Sequence, residues 1–234
     1  MLKKMLSLTL AVAFSSFAVA DEADVKKAME AKLGAKVESV NKSGYLGLYE
    51  VYADGAIFYT DDKVSAIMVG GQLIDAKTMK NVTDERMKKL TAIRFNDLPL
   101  DRAIKQVRGD GKRVLATFED PNCGYCKRLA KEMLKLDNVT VYTFLYPILS
   151  EDSVRKSKQI RCSPDRAKAW GEWMVDGKAP AGREDCDTTA VTKNQEFGRK
   201  LNISGTPTMF FSDGERVPGA IPLARIEQKL NQVK

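Results

Sequence analysis

The chain has 234 residues, and its 38 Lys and Arg exceed its 31 Asp and Glu by seven. The basic residues alternate with acids and build no platform with aromatic side chains, which argues against nucleic acid as a partner and for a solubilising role. Histidine is absent, and this excludes Cys–His nucleophilic catalysis and the common His-containing zinc sites.

Residues 1–20 read as a secretory signal. Lys3 and Lys4 form a basic start, Leu6 to Val19 is short and largely apolar, and Ala18-Val19-Ala20 places small residues before Asp21-Glu22. Cleavage after Ala20 is the expectation. The apolar stretch is shorter than the roughly 20 residues needed to span a bilayer. No later segment is long and apolar enough to do so. Loss of this segment removes Lys3 and Lys4 and leaves 214 residues with an excess of +5. That length allows one large domain or two smaller ones.

Val25, Met29 and Leu33 recur at helical spacing and predict a short helix over 21–33. Residues 35–80 then fall into short strand-like runs. Asp54-Gly55 and Asp61-Asp62 punctuate them, and the pattern predicts a small antiparallel meander. A helix is predicted over 81–98, with Thr83 as its cap and Met87 and Leu90 on one side; few apolar residues line its other faces, as in a semi-exposed connector. A second short helix is predicted at about 100–108, ended by Gly109-Asp110-Gly111. From Lys112 the pattern becomes α/β. Arg113 to Phe118 is a strand, a helix runs from the cysteines through Leu129, Met133 and Leu136, and Val139 to Leu145 is a second strand. This is a βαβ unit. Residues 150–200 read as mostly helical and polar, with a break at 177–180. Thr208 to Phe211 forms a strand led by Pro207, Ser212 to Glu215 a hairpin turn, and Ile221 to Val233 a final helix.

All four cysteines, Cys123, Cys126, Cys162 and Cys186, lie beyond the signal. Two cysteines three apart at a helix start can close a small disulfide, and the helix N-terminus favours a thiolate on the first of them. Cys123 is therefore expected to attack and to be exposed, and Asn122 to cap the helix. Cys126, one turn inside, is expected to resolve mixed disulfides. A structural bridge or half of a zinc site are the alternatives. Cys162 and Cys186 are too widely spaced to complete a usual zinc set, and a C-x-x-C between a strand and a helix in an exported protein points to redox work. Cys162 and Cys186 are expected to pair with each other, a second redox relay being the alternative. Glu119 reads as a solvated turn residue, with proton transfer for Cys126 as the other reading. Thr206-Pro207, ahead of a strand, could offer its backbone to an extended substrate. No metal and no cofactor are expected.

The stretch Phe118 to Cys126, the Cys162/Cys186 pair, Gly205-Thr206-Pro207-Thr208 and Gly44-Tyr45-Leu46-Gly47-Leu48-Tyr49-Glu50 together resemble the DsbC/DsbG family of bacterial periplasmic thiol–disulfide isomerases, its DsbC branch in particular. The resemblance implies an α+β chain: a small antiparallel dimerisation domain (21–82), a linker helix (83–100) and a thioredoxin-like domain (101–234) with a helical insertion at about 150–200. It implies a periplasmic homodimer paired around Gly47, whose facing dithiols take misfolded disulfide-containing proteins. It further implies a DsbD-like membrane reductase as partner, chaperone activity, and a cis Thr206-Pro207 bond beside the dithiol. Gly124, Tyr125 and Thr206 match the isomerase branch. Isomerisation is thus the expected function; net oxidation or reduction, or a purely chaperone role, are the competing ones.

Overall fold

The structure is a computed structural model that describes residues 21–232. The expected signal, residues 1–20, lies outside the described residues. The chain divides into two units, one ending at Gly71 and one beginning at Gln72.

In the first unit, helix α1 (Glu22–Leu33) starts at Asp21, whose side chain accepts from the N–H groups of Ala23 and Asp24. It ends at Gly34, which takes the left-handed conformation (φ 64°) usual for a helix stop. Strands β1 (Val37–Lys42), β2 (Tyr49–Ala53), β3 (Ala56–Thr60) and β4 (Ile67–Val69) form an antiparallel meander in that order. Asp54 and Gly55 both have positive φ, the signature of the tight turn that matches strand twist. Val25 and Met29 of α1 pack on Val37, Val51, Ala53 and Val64, all buried. Gly47 sits in the β1–β2 connection rather than in a strand.

The second unit opens with α2 (Val82–Thr91). Its cap is Asn81, which accepts from Asp84 N–H, and not Thr83. Thr83 is buried and uses its hydroxyl to accept from Leu73 N–H at 2.8 Å. The helix stops short of the predicted end because the chain turns extended at Ala92 and Ile93 N–H bonds Gly214 O at 3.2 Å. The helix predicted at 100–108 is also corrected. Only Leu100–Arg102 is helical, as one 3-10 turn, and Ile104–Arg108 is strand β5, paired antiparallel with β7 (Val139–Leu145).

The remaining sheet is β6 (Arg113–Glu119), β7 (Val139–Leu145), β8 (Thr208–Phe211) and β9 (Arg216–Pro218). Its order is β5-β7-β6-β8-β9, with only β6 and β7 parallel, bridged by α3 (Gly124–Met133). This is the thioredoxin arrangement. Both sheet faces are covered. Leu115, Val141, Met209 and Phe211 pack under α3 and α7 (Leu223–Gln232) through Leu129, Met133, Ile226 and Leu230. On the opposite face Phe118 stacks on Phe144, with ring centres 4.6 Å apart, and meets Phe210 edge-on. Each such buried aromatic contributes about 2–3 kcal/mol.

Between β7 and β8 lie α4 (Glu151–Arg161), α5 (Arg166–Gly171), a π-helical turn (Glu172–Asp176) and α6 (Thr189–Lys200). Cys162 and Cys186 are bonded to each other and tie the end of α4 to the segment before α6. Ile160, Trp170, Met174 and Val191 of this insertion form one buried cluster with Cys123 and Cys126.

Candidate active site

Strand β6 delivers the chain to Glu119, and the next four residues turn it into α3. Cys123 is itself the cap of that helix: it is extended (φ −73°, ψ 117°), and its sulfur accepts from Cys126 N–H at 3.3 Å. Asn122, expected as the cap, instead reaches to α4. Its amide donates to Asp152 Oδ2 at 2.8 Å and to Ser153 Oγ at 3.2 Å.

The Thr206-Pro207 bond is cis. Cys123 Sγ lies 3.2 Å from Thr206 O, to which it donates only in its thiol form. That contact explains why Cys123 is only 5% exposed rather than open as expected. The loop before β8 lies against the sulfur and leaves only an edge for a substrate. Gly124 and Tyr125 flank this edge, Tyr125 at 62% exposure. Thus Cys123, Cys126, Gly124, Tyr125, Thr206 and Pro207 come together, whereas Gly47 belongs to the other unit.

The two sulfurs are set far apart electrostatically. Polar groups around the Cys123 sulfur, first the Cys126 thiol and then the Thr206 side chain and the Cys126 and Tyr125 N–H groups, outweigh burial and lower its pKa to about 6. The Cys126 thiol is pushed strongly upward, chiefly by burial, then by its bond to Cys123 and the Glu119 charge. At neutral pH, Cys123 is a thiolate and Cys126 a thiol.

Glu119 is not a solvated turn residue. It is the last residue of β6 and fully buried, with Oε1 accepting from Thr117 Oγ1 at 2.7 Å. Burial raises its pKa to about 8, against the lowering effect of the Thr117 bond. Sequence reasoning missed Thr117 altogether; its alternation with Ala116 and Phe118 in β6 was the available signal. Among the described residues no group of three or more His, Cys, Asp and Glu is placed to hold a metal ion.

Comparison with known proteins agrees with this geometry. A family model described as "Thioredoxin-like domain" matches residues 100–234, and one described as "Disulfide bond isomerase protein N-terminal domain" matches residues 16–84. The Bordetella parapertussis protein named "Probable thiol:disulfide interchange protein DsbC" is 50% identical over 197 residues, covering 84% of this chain and 69% of that one. Thiol:disulfide interchange protein DsbC of Escherichia coli is 29% identical over 237 residues, covering 99% and 97%. The crystal structure of a disulfide interchange protein from Neisseria gonorrhoeae superposes with a TM-score of 0.55 at 43% identity, covering 58% of this chain and 97% of that one. An N-terminal isomerase-type unit followed by a thioredoxin fold that carries a close, oppositely poised cysteine pair is a thiol–disulfide oxidoreductase of the isomerase type. With those relatives, the chain belongs to the DsbC family of periplasmic thiol:disulfide interchange proteins.

Proposed function

We propose that the protein rearranges wrong disulfides in periplasmic clients as a homodimer, with Cys123 attacking and Cys126 resolving. The observation that carries this reading is the opposite poise of the two sulfurs. The Cys123 thiolate attacks one sulfur of a client disulfide. That S–S bond breaks, a Cys123–client bond forms, and the other client sulfur leaves as a thiolate. This thiolate attacks another disulfide of the same client, and the chain of exchanges ends by expelling Cys123. No electrons are gained or lost overall. If rearrangement stalls, Cys126 attacks the Cys123 sulfur, the client leaves reduced, and the dithiol becomes a disulfide. The ionised fraction of Glu119, about a tenth at pH 7 with its pKa at about 8, accepts the Cys126 proton in that step.

A DsbD-like membrane reductase then returns two electrons to Cys123 and Cys126. Thr206 and Pro207 position the client strand by backbone pairing, and Gly124 and Tyr125 shape its approach. Residues 21–82 form the dimerisation domain and 83–100 the link to the catalytic domain (101–234). Gly47 sits at the dimer contact; Leu46 beside it, 87% exposed, supports a partner there. Apolar contact with unfolded clients supplies chaperone activity.

The test is the redox state of Cys123 and Cys126 trapped by rapid alkylation in living cells. This reading expects them predominantly reduced. A predominantly oxidised pair identifies a net oxidant instead.

A further inference from the structure

The three residues that lead into Cys123 are each gripped by the helical insertion or the loop that feeds it. The Asp120 side chain is fully buried. Its Oδ1 accepts from Asn122 N–H at 2.8 Å and Ser153 Oγ at 2.7 Å, and its Oδ2 from the N–H groups of Ile148 and Leu149 at 2.8 and 2.9 Å. Four donors thus occupy the acceptor sites of one carboxyl group. Pro121 O accepts from Trp173 Nε1 at 2.6 Å. Asn122 bonds Asp152 and Ser153 of α4.

Trp173 lies in the π-helical turn, a distortion often found beside functional sites. Its ring carries Lys127 Nζ of α3 at 3.9 Å and Lys156 Nζ of α4 at 4.8 Å. The insertion, the active-site loop and the active-site helix therefore meet on one indole. From this clamp a single bond leads to the reacting residue: Cys123 N–H donates to Asp120 O at 3.1 Å.

We propose that the helical insertion is the positioning element of the dithiol, and that Ser153, Trp173 and Asp120 are its positioning residues. They hold the 120–122 turn so that the Cys123 sulfur stays within reach of Cys126 N–H. The inference rests on Cys123 being the attacking thiol. Asp120 and Ser153 are fully buried, and Trp173 is bonded to Pro121 O. Their effect passes through geometry: hydrogen bonds to a thiolate weaken steeply as they lengthen or bend. A loosened turn moves the Cys123 thiol back toward its ordinary value of 9.0.

Neutral substitutions on the insertion side test this without altering charge at the site. Ser153→Ala removes one bond to Asp120 and one to Asn122. Trp173→Phe removes the bond to Pro121 and keeps an aromatic ring under the lysines. Thiolate absorbance of the reduced pair is titrated in protein whose Cys162–Cys186 bond is intact by mass. Cys126 is held far above neutrality, so the transition near neutral pH belongs to Cys123.

The double variant is expected to shift that midpoint up by about one pH unit. Thiolate at pH 6 then falls about fivefold, with little change at pH 9. Each single variant is expected to shift it part of the way. A double variant with native circular dichroism and an unchanged midpoint overturns the proposal. Should the double variant not fold, an unchanged midpoint in folded Trp173→Phe overturns it equally. An unshifted titration leaves the isomerase reading untouched, since that reading stands or falls on turnover of client disulfides.

Discussion

Replacing Glu119 by Gln removes a titratable group from the sheet while nearly preserving its shape. In the folded protein this carboxyl is fully buried, and its Oε2 has no hydrogen-bond partner among the described residues. Its pKa rises from 4.5 to about 8 on burial. The unfolded chain releases the proton near 4.5, and the folded chain holds it to about 8. The carboxyl's contribution to stability is therefore fully present below the unfolded value and is lost as pH rises toward 8. Each pH unit in that window costs about 1.4 kcal/mol, so about 3 kcal/mol of stability is gone by pH 7.

Glutamine keeps a carbonyl for Thr117, and its buried N–H₂ replaces a buried O–H that already lacked a partner. Glu119→Gln should thus gain about 3 kcal/mol over wild type at pH 7 and nothing at pH 4. Cys123 titrates in both proteins and cancels in the difference. Urea unfolding at pH 4, 5.5 and 7 reads the gap directly. A gap that is absent at pH 7, or equally large at pH 4, refutes the assignment of a buried carboxyl held protonated. The variant should also resolve mixed disulfides more slowly, because the proton of Cys126 has lost its acceptor.

Other expectations follow from the same geometry. Alkylation of Cys123 by iodoacetamide should reach half its plateau near pH 6 and be nearly flat above pH 7, with the thiolate as the reacting form; a midpoint near 9 would remove the hydrogen-bond explanation. Removing both Cys162 and Cys186 as alanines should lower stability by about 3.5 kcal/mol, the closure entropy of their 24-residue separation. An unchanged urea midpoint would show that the insertion does not need the bond. Gly47→Arg places a long charged side chain at a positive-φ position (68°) in the β1–β2 connection. Light scattering should report a shift from dimer toward monomer mass, and an undiminished dimer would remove Gly47 from the contact.

What was legible in the sequence was mostly local. The β6–α3–β7 unit, the Asp54-Gly55 turn and the first helix rest on periodicity and turn residues within a few positions of each other. The dithiol was legible for the same reason: its spacing and its place between strand and helix are sequential facts. The misreadings all concern partners distant in the chain. Ile104–Arg108 becomes a strand because β7 pairs with it; alone, with only Ile104 fully buried, it carries little strand signal. Glu119 looked like part of a turn because an acid beside Asp120-Pro121 usually is one, yet β6 runs one residue further and the sheet buries it. Thr83 had the chemistry of a cap but was claimed by Leu73. Cys123 was expected to be open because a reactive cysteine must be reachable; its cover, Thr206, lies 83 residues away. The grip of Ser153 and Trp173 on the 120–122 turn was invisible for the same reason.

The central claim is that this dithiol rearranges disulfides through the Cys123 thiolate. Its most direct test is recovery of activity by a scrambled, fully oxidised multi-disulfide enzyme incubated with the reduced protein. Wild type should restore the native pairing without lasting consumption of thiol equivalents, and Cys123→Ser should not restore it at all. Unchanged recovery with Cys123→Ser would contradict the account.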